Sequence, residues 1–453
     1  MFSKHNLLHN PRSSPPSGGR GLLFYSTNHT SPKVNFKEAT IKGQAPDKGL
    51  YFPENIPSLP KDFIANINKY SKEEIAYTVI RPYIDDIIPK NELERIVAET
   101  INFDFPLVEV EENIFSLELF HGPTLAFKDV GARFMSRCLG YFLKNENKKI
   151  TVLVATSGDT GGAVAHGFYG VDGIDVVILY PSGKVSSIQE LQLTTLAKNI
   201  TALEVDGTFD DCQQLVKQAF IDDELNKKLF LTSANSINVA RWLPQQFYYF
   251  FAYQQWADKN DPPVISVPSG NFGNICAGLL AHHSGLPVQH FIAACNANDI
   301  VYKYLQTENY VPQKSVATLS NAMDVGDPSN FVRILELFDK EFISLKNVMS
   351  SYSISDKETK EIIKEVYLIK NYLLDPHGAV GYSGLKKYLQ QHPGLKGIFL
   401  ETAHPVKFYD VVEPLIQETV PMPIAINDLL KKEKKSITMQ PKYEDLKDYL
   451  LSK

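Results

Sequence analysis

The chain has 453 residues, 43% of them apolar and 22% charged, with a formal net charge of −6. That length calls for two or three domains of ordinary soluble composition. The acidic balance argues against nucleic acid or an anionic membrane surface as the main partner, and it leaves room for a local basic pocket. The four cysteines, Cys138, Cys212, Cys276 and Cys295, stand far apart without a Cys-x-x-Cys pair or a Cys/His cluster. No metal centre or disulfide framework is therefore expected, and buried, reduced thiols in a cytoplasmic protein are the simplest reading. No stretch reaches the roughly 18 apolar residues that a spanning helix needs.

Residues 1–22 lack Asp and Glu, carry Lys4, Arg12 and Arg20, and contain the run Ser13-Ser-Pro-Pro-Ser-Gly-Gly19. This composition suits a disordered extension, with an organelle transit peptide as the alternative. Globular patterning starts near Phe24. Residues 23–110 mix turns with helical stretches at 72–80 and 90–101 and show no catalytic signature, so they are expected to form a structural N-terminal domain. From about residue 150, short apolar runs at 151–155, 174–179, 201–205, 264–267, 288–295 and 397–400 alternate with helical stretches at 160–169, 186–198, 209–221 and 274–283. Such alternation predicts parallel sheets covered on both faces, and more than one sheet at this length. Residues 355–370 read as a solvated helix, and the charged tail, 431–453, as a peripheral helix or loop.

Four runs carry chemistry. In His121-Gly-Pro-Thr-Leu-Ala-Phe-Lys-Asp129 a turn precedes an apolar stripe at helical spacing, Val130, Phe134, Met135, Cys138, Leu139 and Phe142. Lys128 then lies at a helix N-terminus, where the helix dipole disfavours a cation and helps the amine to be neutral and nucleophilic. Taken alone, it reads first as a surface lysine opening a helix. Ala155-Thr-Ser-Gly-Asp-Thr-Gly-Gly162 follows a strand and opens a helix, a position where backbone N–H groups and hydroxyls form an anion site. It lacks the lysine of a P-loop and the spacing of a dinucleotide fingerprint, so nucleotide is disfavoured. Pro268-Ser-Gly-Asn-Phe-Gly-Asn274 repeats the strand–loop–helix arrangement, with Gly270 and Gly273 allowing close approach of an anion. Leu400-Glu-Thr-Ala-His-Pro-Val-Lys407 follows a further strand, and the Thr402 hydroxyl there suits a pyridine nitrogen or, alternatively, a helix cap. Pyridoxal phosphate needs a lysine and a phosphate cradle, and its substrate needs a carboxylate cradle; the runs supply all three.

The runs HGPTLAFKD, ATSGDTGGA, LTSANSINVARWLPQ (231–245), PSGNFGN, SNAMDVGDPSN (320–330) and TAHPVKF (402–408), in this order, resemble the longer threonine synthases of enteric bacteria and yeast over about residues 24–410. The resemblance implies an α/β protein of the fold type II pyridoxal-phosphate class, similar to the tryptophan synthase β subunit. It would have two parallel-type sheets with helices on both faces plus the N-terminal domain. The expected boundaries are a large domain at 111–149 and 246–430 and a small domain at 150–245. Lys128 would be the Schiff-base lysine and proton carrier. Gly270, Asn271, Phe272, Gly273 and Asn274 would cradle the cofactor phosphate, and Thr402 would meet the pyridine nitrogen. Thr124, Ser157, Gly158, Asp159 and Thr160 would lie at the substrate carboxylate and the cofactor 3′ oxygen, with Asn235, Asn238 and Arg241 at the substrate phosphate. Many wider relatives have Asn where Asp159 stands. An ionised Asp159 would repel the cofactor phenolate, so it is expected to be protonated or turned away. The implied reaction turns O-phospho-L-homoserine and water into L-threonine and phosphate in the cytoplasm, by a monomer or homodimer with no metal. A phospholyase releasing a 2-oxo acid is the nearest rival on the same scaffold.

Overall fold

The computed structural model describes residues 21–144 and 149–453. The extension expected at 1–22 lies, for residues 1–20, outside the described residues. The N-terminal part begins with a two-stranded antiparallel ribbon, β1 (Phe24–Ser26) with β2 (Tyr51–Pro53). Helices Lys72–Ile84 and Lys90–Thr100 follow. The first starts at a reciprocal cap between Ser71 and Glu74, and it buries Ile75, Val79, Ile80 and Tyr83 on one stripe.

A hairpin, β3 (Leu107–Glu111) and β4 (Ile114–Glu118), leads into the two larger sheets. Next come β5 (Ile150–Ala155), β6 (Ile174–Pro181), β7 (Ile200–Val205) and β8 (Phe230–Ser233). They are followed by β9 (Val264–Pro268), β10 (His290–Cys295), β11 (Met349–Ser353), β12 (Gly397–Glu401) and β13 (Ile437–Met439). One sheet has six strands in the order β11-β10-β9-β12-β4-β3, parallel except for the β3–β4 hairpin. The other has five parallel strands, β13-β7-β6-β5-β8. Every residue of β5, β9, β10 and β12 is buried, as expected for parallel strands covered on both faces.

The strands expected from β-branched runs are present. Those without such a run are additions: Phe-Leu-Thr-Ser makes β8 and Met-Ser-Ser-Tyr-Ser makes β11, each paired parallel to a stronger strand. The charged tail is more than peripheral. Its β13 extends the five-stranded sheet beside β7, and helix Tyr443–Leu451 buries Leu446 and Leu450 against Leu215 and Val216. Lys434 ties the tail down, 2.6 Å from Glu190 and 2.7 Å from Glu204. Among the described residues no helix is long and apolar enough to cross a membrane.

The N-terminal ribbon is joined to the rest by Arg333, which is fully buried. Its guanidinium donates to the carbonyls of Tyr51, Ser236 and Ile237 and to Asn330 Oδ1, and it lies 4.4 Å from the Trp242 ring. Only a planar fork of donors serves acceptors from three segments at once. Arg333→Lys leaves several buried carbonyls unpaired and is expected to cost about 3 kcal/mol. Urea unfolding followed by tryptophan fluorescence reads this as an earlier midpoint.

Candidate active site

A cavity of about 1180 Å³ opens between the two sheets and is lined by Lys128, Ser157, Asp159, Asn271, Asn274 and Thr402, among others. It lies where β5, β9 and β12 end and the loops after them begin, the usual ligand crevice of parallel sheets.

Lys128 is the first residue of helix Lys128–Leu143, and the turn before it is built by its own sequence. The Asp129 carboxylate accepts from Thr124 N at 2.9 Å and Thr124 Oγ1 at 2.6 Å. Leu125 adopts φ 56°, and a Cβ on Gly122 would lie 2.5 Å from Asp129 Oδ2. Phe127 N donates to Thr402 O at 2.9 Å, locking this turn to the end of β12. Burial pushes the Lys128 amine down from its ordinary value. Asp159 opposes this, while Lys407 and Arg241 add to it. The lysine is thus biased toward the neutral amine.

The loop after β5 is held from within. Thr156 Oγ1 accepts from Gly158 N at 3.0 Å and from Gly161 N at 2.8 Å. Gly158 has φ 135°, and a Cβ there would lie 2.5 Å from the Gln189 side chain, so only glycine fits. Among the described residues, the N–H groups of Ser157, Asp159 and Thr160 meet no protein acceptor, and these three residues line the cavity at the start of helix Asp159–Phe168. That is an anion cradle.

The loop after β9 makes a second one. Phe272 takes a left-handed φ of 59°, and the N–H groups of Gly270, Asn271, Phe272, Gly273 and Asn274 meet no protein acceptor among the described residues. Asn274 Nδ2 is buried without a partner, while its Oδ1 accepts from Tyr249. A Cβ on Gly270 would lie 2.5 Å from Met323 Cα. Asn271 spends its side chain on structure: Nδ2 donates to Ser236 Oγ at 2.8 Å and Oδ1 accepts from Ser329 N at 2.6 Å.

Asp159 behaves otherwise than expected. Burial would raise its carboxyl, but Lys407 and then Lys128, with His377 behind them, hold it well below the usual carboxylate range. Lys407 Nζ is 2.6 Å from Oδ1 and Lys128 Nζ 3.7 Å from Oδ2. Asp159 is therefore ionised and faces the cavity, and its charge is met by a buried lysine.

The remaining expected residues divide. Asn235 and Arg241 line the cavity, and Asn235 Oδ1 and Arg241 Nε are buried without partners. Burial pushes the Arg241 guanidinium down to about 10, and no carboxylate lies within 4 Å of it among the described residues. Asn238 is fully buried away from the cavity. It caps a short helix through Ala240 N and donates to Thr40 O and Ser233 O. Thr124 also turns away, to Asp129, and Gly158 shapes its loop without lining the cavity. Two residues passed over in the sequence stand at the site, Lys407 and His377. His377 lines the cavity, with Nδ1 on Asp375 and Nε2 accepting from Ala322 N at 3.2 Å. In sequence, Asp375-Pro-His reads only as a helix start, which it also is.

Residues 104–398 match the family model for pyridoxal-phosphate dependent enzymes, 23–101 the threonine synthase N terminus and 378–450 the threonine synthase C-terminal region. Over 434 residues the chain is 46% identical to threonine synthase of Haemophilus influenzae, spanning 95% of this chain and 100% of that one. The chain belongs to the threonine synthase family. The Escherichia coli K12 threonine synthase is 44% identical over 403 residues, 89% of this chain and 93% of that one. The crystal structure of the Escherichia coli threonine synthase superposes with a TM-score of 0.89 at 41% identity, covering 95% of this chain and 99% of that one. A PLP-bound threonine synthase from Brucella melitensis gives 0.88 at 34%, covering 95% and 99%.

The cradles fit the cofactor of this family. Five adjacent unpaired N–H groups with an orphaned Asn274 amide suit a phosphate, and a partly buried amine held below its ordinary basicity suits its aldehyde. Gly270→Ala forces the phosphate loop off the Met323 backbone. Overpacking of that kind costs about 1–3 kcal/mol, or roughly ten- to hundredfold in affinity. Equilibrium dialysis against pyridoxal phosphate measures it.

Proposed function

We infer that the chain is a pyridoxal-phosphate-dependent threonine synthase, converting O-phospho-L-homoserine and water into L-threonine and phosphate. The observation that carries this reading is the placement of one partly buried lysine between two unpaired N–H cradles, in a chain of the threonine synthase family. When bound, pyridoxal phosphate supplies an electron sink for the charge left at the substrate Cα.

The chain's own residues do the rest. Gly270 to Asn274 would hold the cofactor phosphate, and the Thr402 hydroxyl, which has no protein partner among the described residues, would meet the pyridine nitrogen. A hydroxyl there does not compel that nitrogen to be protonated. The free N–H groups of Ser157, Asp159 and Thr160 take the substrate carboxylate. Lys128 removes the Cα proton and gives it up again; neutral once more, the same amine takes the Cβ proton as phosphate leaves from Cγ, and a proton returned to Cγ with water added at Cβ completes threonine. Burial serves both transfers, since only the neutral amine accepts a proton. Arg241 and Asn235 receive the substrate phosphate. A buried guanidinium with an unpaired Nε and no carboxylate of its own gains a counter-ion when that dianion binds. The enzyme works in the cytoplasm as a monomer or homodimer, where its four buried free thiols suit a reducing compartment.

Three measurements test this. With phosphohomoserine, the purified enzyme is expected to release phosphate and threonine in equal amounts; 2-oxobutanoate with ammonia instead would establish the lyase. Lys128→Ala is expected to lose turnover by at least about a thousandfold and to lose the borohydride-reducible cofactor adduct. Arg241→Ala is expected to raise KM by roughly ten- to hundredfold, the worth of a charge-assisted hydrogen bond, while cofactor retention stays close to that of the unaltered enzyme.

A further inference from the structure

Lys407 ends the TAHPVKF run's first turn, and it is the one lysine among the described residues whose side chain is wholly buried. Its ammonium donates to Thr124 O at 2.9 Å and lies 2.6 Å from Asp159 Oδ1. Lys407 follows β12 of the six-stranded sheet, whereas Asp159 opens the helix after β5 of the five-stranded one. The ion pair therefore crosses the seam between the sheets. Gln189 Nε2 holds the same carboxylate oxygen at 2.8 Å. The other oxygen, Oδ2, faces Lys128 Nζ at 3.7 Å.

Two amines, one buried and one partly buried, thus compete for one carboxylate. Coulomb attraction falls with distance, so the nearer, hydrogen-bonded amine satisfies most of the charge. The charged and titratable groups facing Asp159 are Lys407, Lys128 and His377; those facing Lys128 are Asp159, Lys407, Arg241 and Asp375. With Lys407 in place, the carboxylate already has its cation, and a second one beside it is disfavoured by burial and repulsion. Without Lys407, a lone carboxylate in a buried site would draw its counter-ion from Lys128 and keep that amine protonated.

We propose that Lys407 is a positioning residue of the reaction: by holding the Asp159 carboxylate across the seam, it leaves Lys128 free to work as an uncharged amine. Lys407 also steadies the turn that carries Lys128, because its second acceptor is the Thr124 carbonyl. The assignment rests on Lys128 being the reactive amine.

The test uses the cofactor-loaded full chain, unaltered and as Lys407→Met, Asp159→Asn and the double variant. Borohydride reduction and peptide mass spectrometry first locate the cofactor; a label on another lysine overturns the reading of Lys128 itself. Two titrations follow: the visible absorbance of the bound cofactor against pH, and the acid limb of kcat against pH. Lys407→Met is expected to move both midpoints up by about one pH unit or more, a tenfold change in protonated fraction, with activity recovering at higher pH. Asp159→Asn moves them down, because Lys128 then faces only cations from that side, and the double variant moves back toward the unaltered enzyme. Activity lost equally at all pH, with both midpoints in place, would make Lys407 a structural brace and overturn the proposal. If Lys407→Met does not fold, Asp159→Asn decides alone: a downward shift supports the proposal and an unmoved midpoint overturns it.

Discussion

The floor of the cleft hangs on one buried cation. Arg333 serves the carbonyl of Tyr51 in the N-terminal ribbon, the carbonyls of Ser236 and Ile237, and the Asn330 side chain, with Trp242 beneath it. Asn330 passes the constraint on, donating to Ser236 Oγ and to Asn271 O, and Ser236 Oγ in turn accepts from Asn271. Three of the sequence runs, 231–245, 268–274 and 320–330, are thereby one hydrogen-bonded unit. Their common product is a loop whose N–H groups are left free for an anion. Among the described residues no carboxylate contacts this guanidinium; burial pushes it down to about 9, and carbonyl dipoles carry the compensation. The positive charge so kept under the cleft suits a site that must receive two phosphates in a chain whose net charge is −6.

Parallel pairing explains why two such cradles face each other. In each sheet the strands, β3 apart, run the same way, so the loops after them, and the N-termini of the helices those loops open, gather at one end. The cleft is where the two ends meet. Glycine stands wherever a side chain would collide: Gly158 against Gln189, Gly270 against the Met323 backbone. The hydroxyl of Thr156 closes its loop in place of a longer side chain and so leaves the next N–H groups to the ligand.

What could be read from the sequence was whatever is local. β5, β6, β7 and β9 are apolar runs rich in β-branched residues, and Gly-rich loops directly follow β5 and β9, so the sheets, these loops and Lys128 at a helix start were all legible. β8, β11 and β13 were not, because their residues make strands only beside a neighbour supplied from elsewhere. Thr124 and Asn238 were assigned to ligand, but short polar side chains first serve nearby backbone: Asp129 claims the one, and a helix cap the other. Arg333 and Lys407 escaped for the opposite reason. Their partners lie hundreds of residues away, Tyr51 for the first and Thr124 and Asp159 for the second.

Asp159 shows what local reading cannot decide. An acid in a Gly-rich loop beside a phenolate looks forbidden, and so does a lysine wholly enclosed after β12. Each is forbidden alone, because a buried charge without a partner costs several kcal/mol. Together they make a pair that keeps its charges, with Gln189 taking up a remaining lone pair. The acid in ATSGDTGGA and the base in TAHPVKF are therefore one feature written in two places. The position of Lys128 beside that pair, on its negative side but farther than Lys407, lets the amine be steadied by a carboxylate without being captured by it.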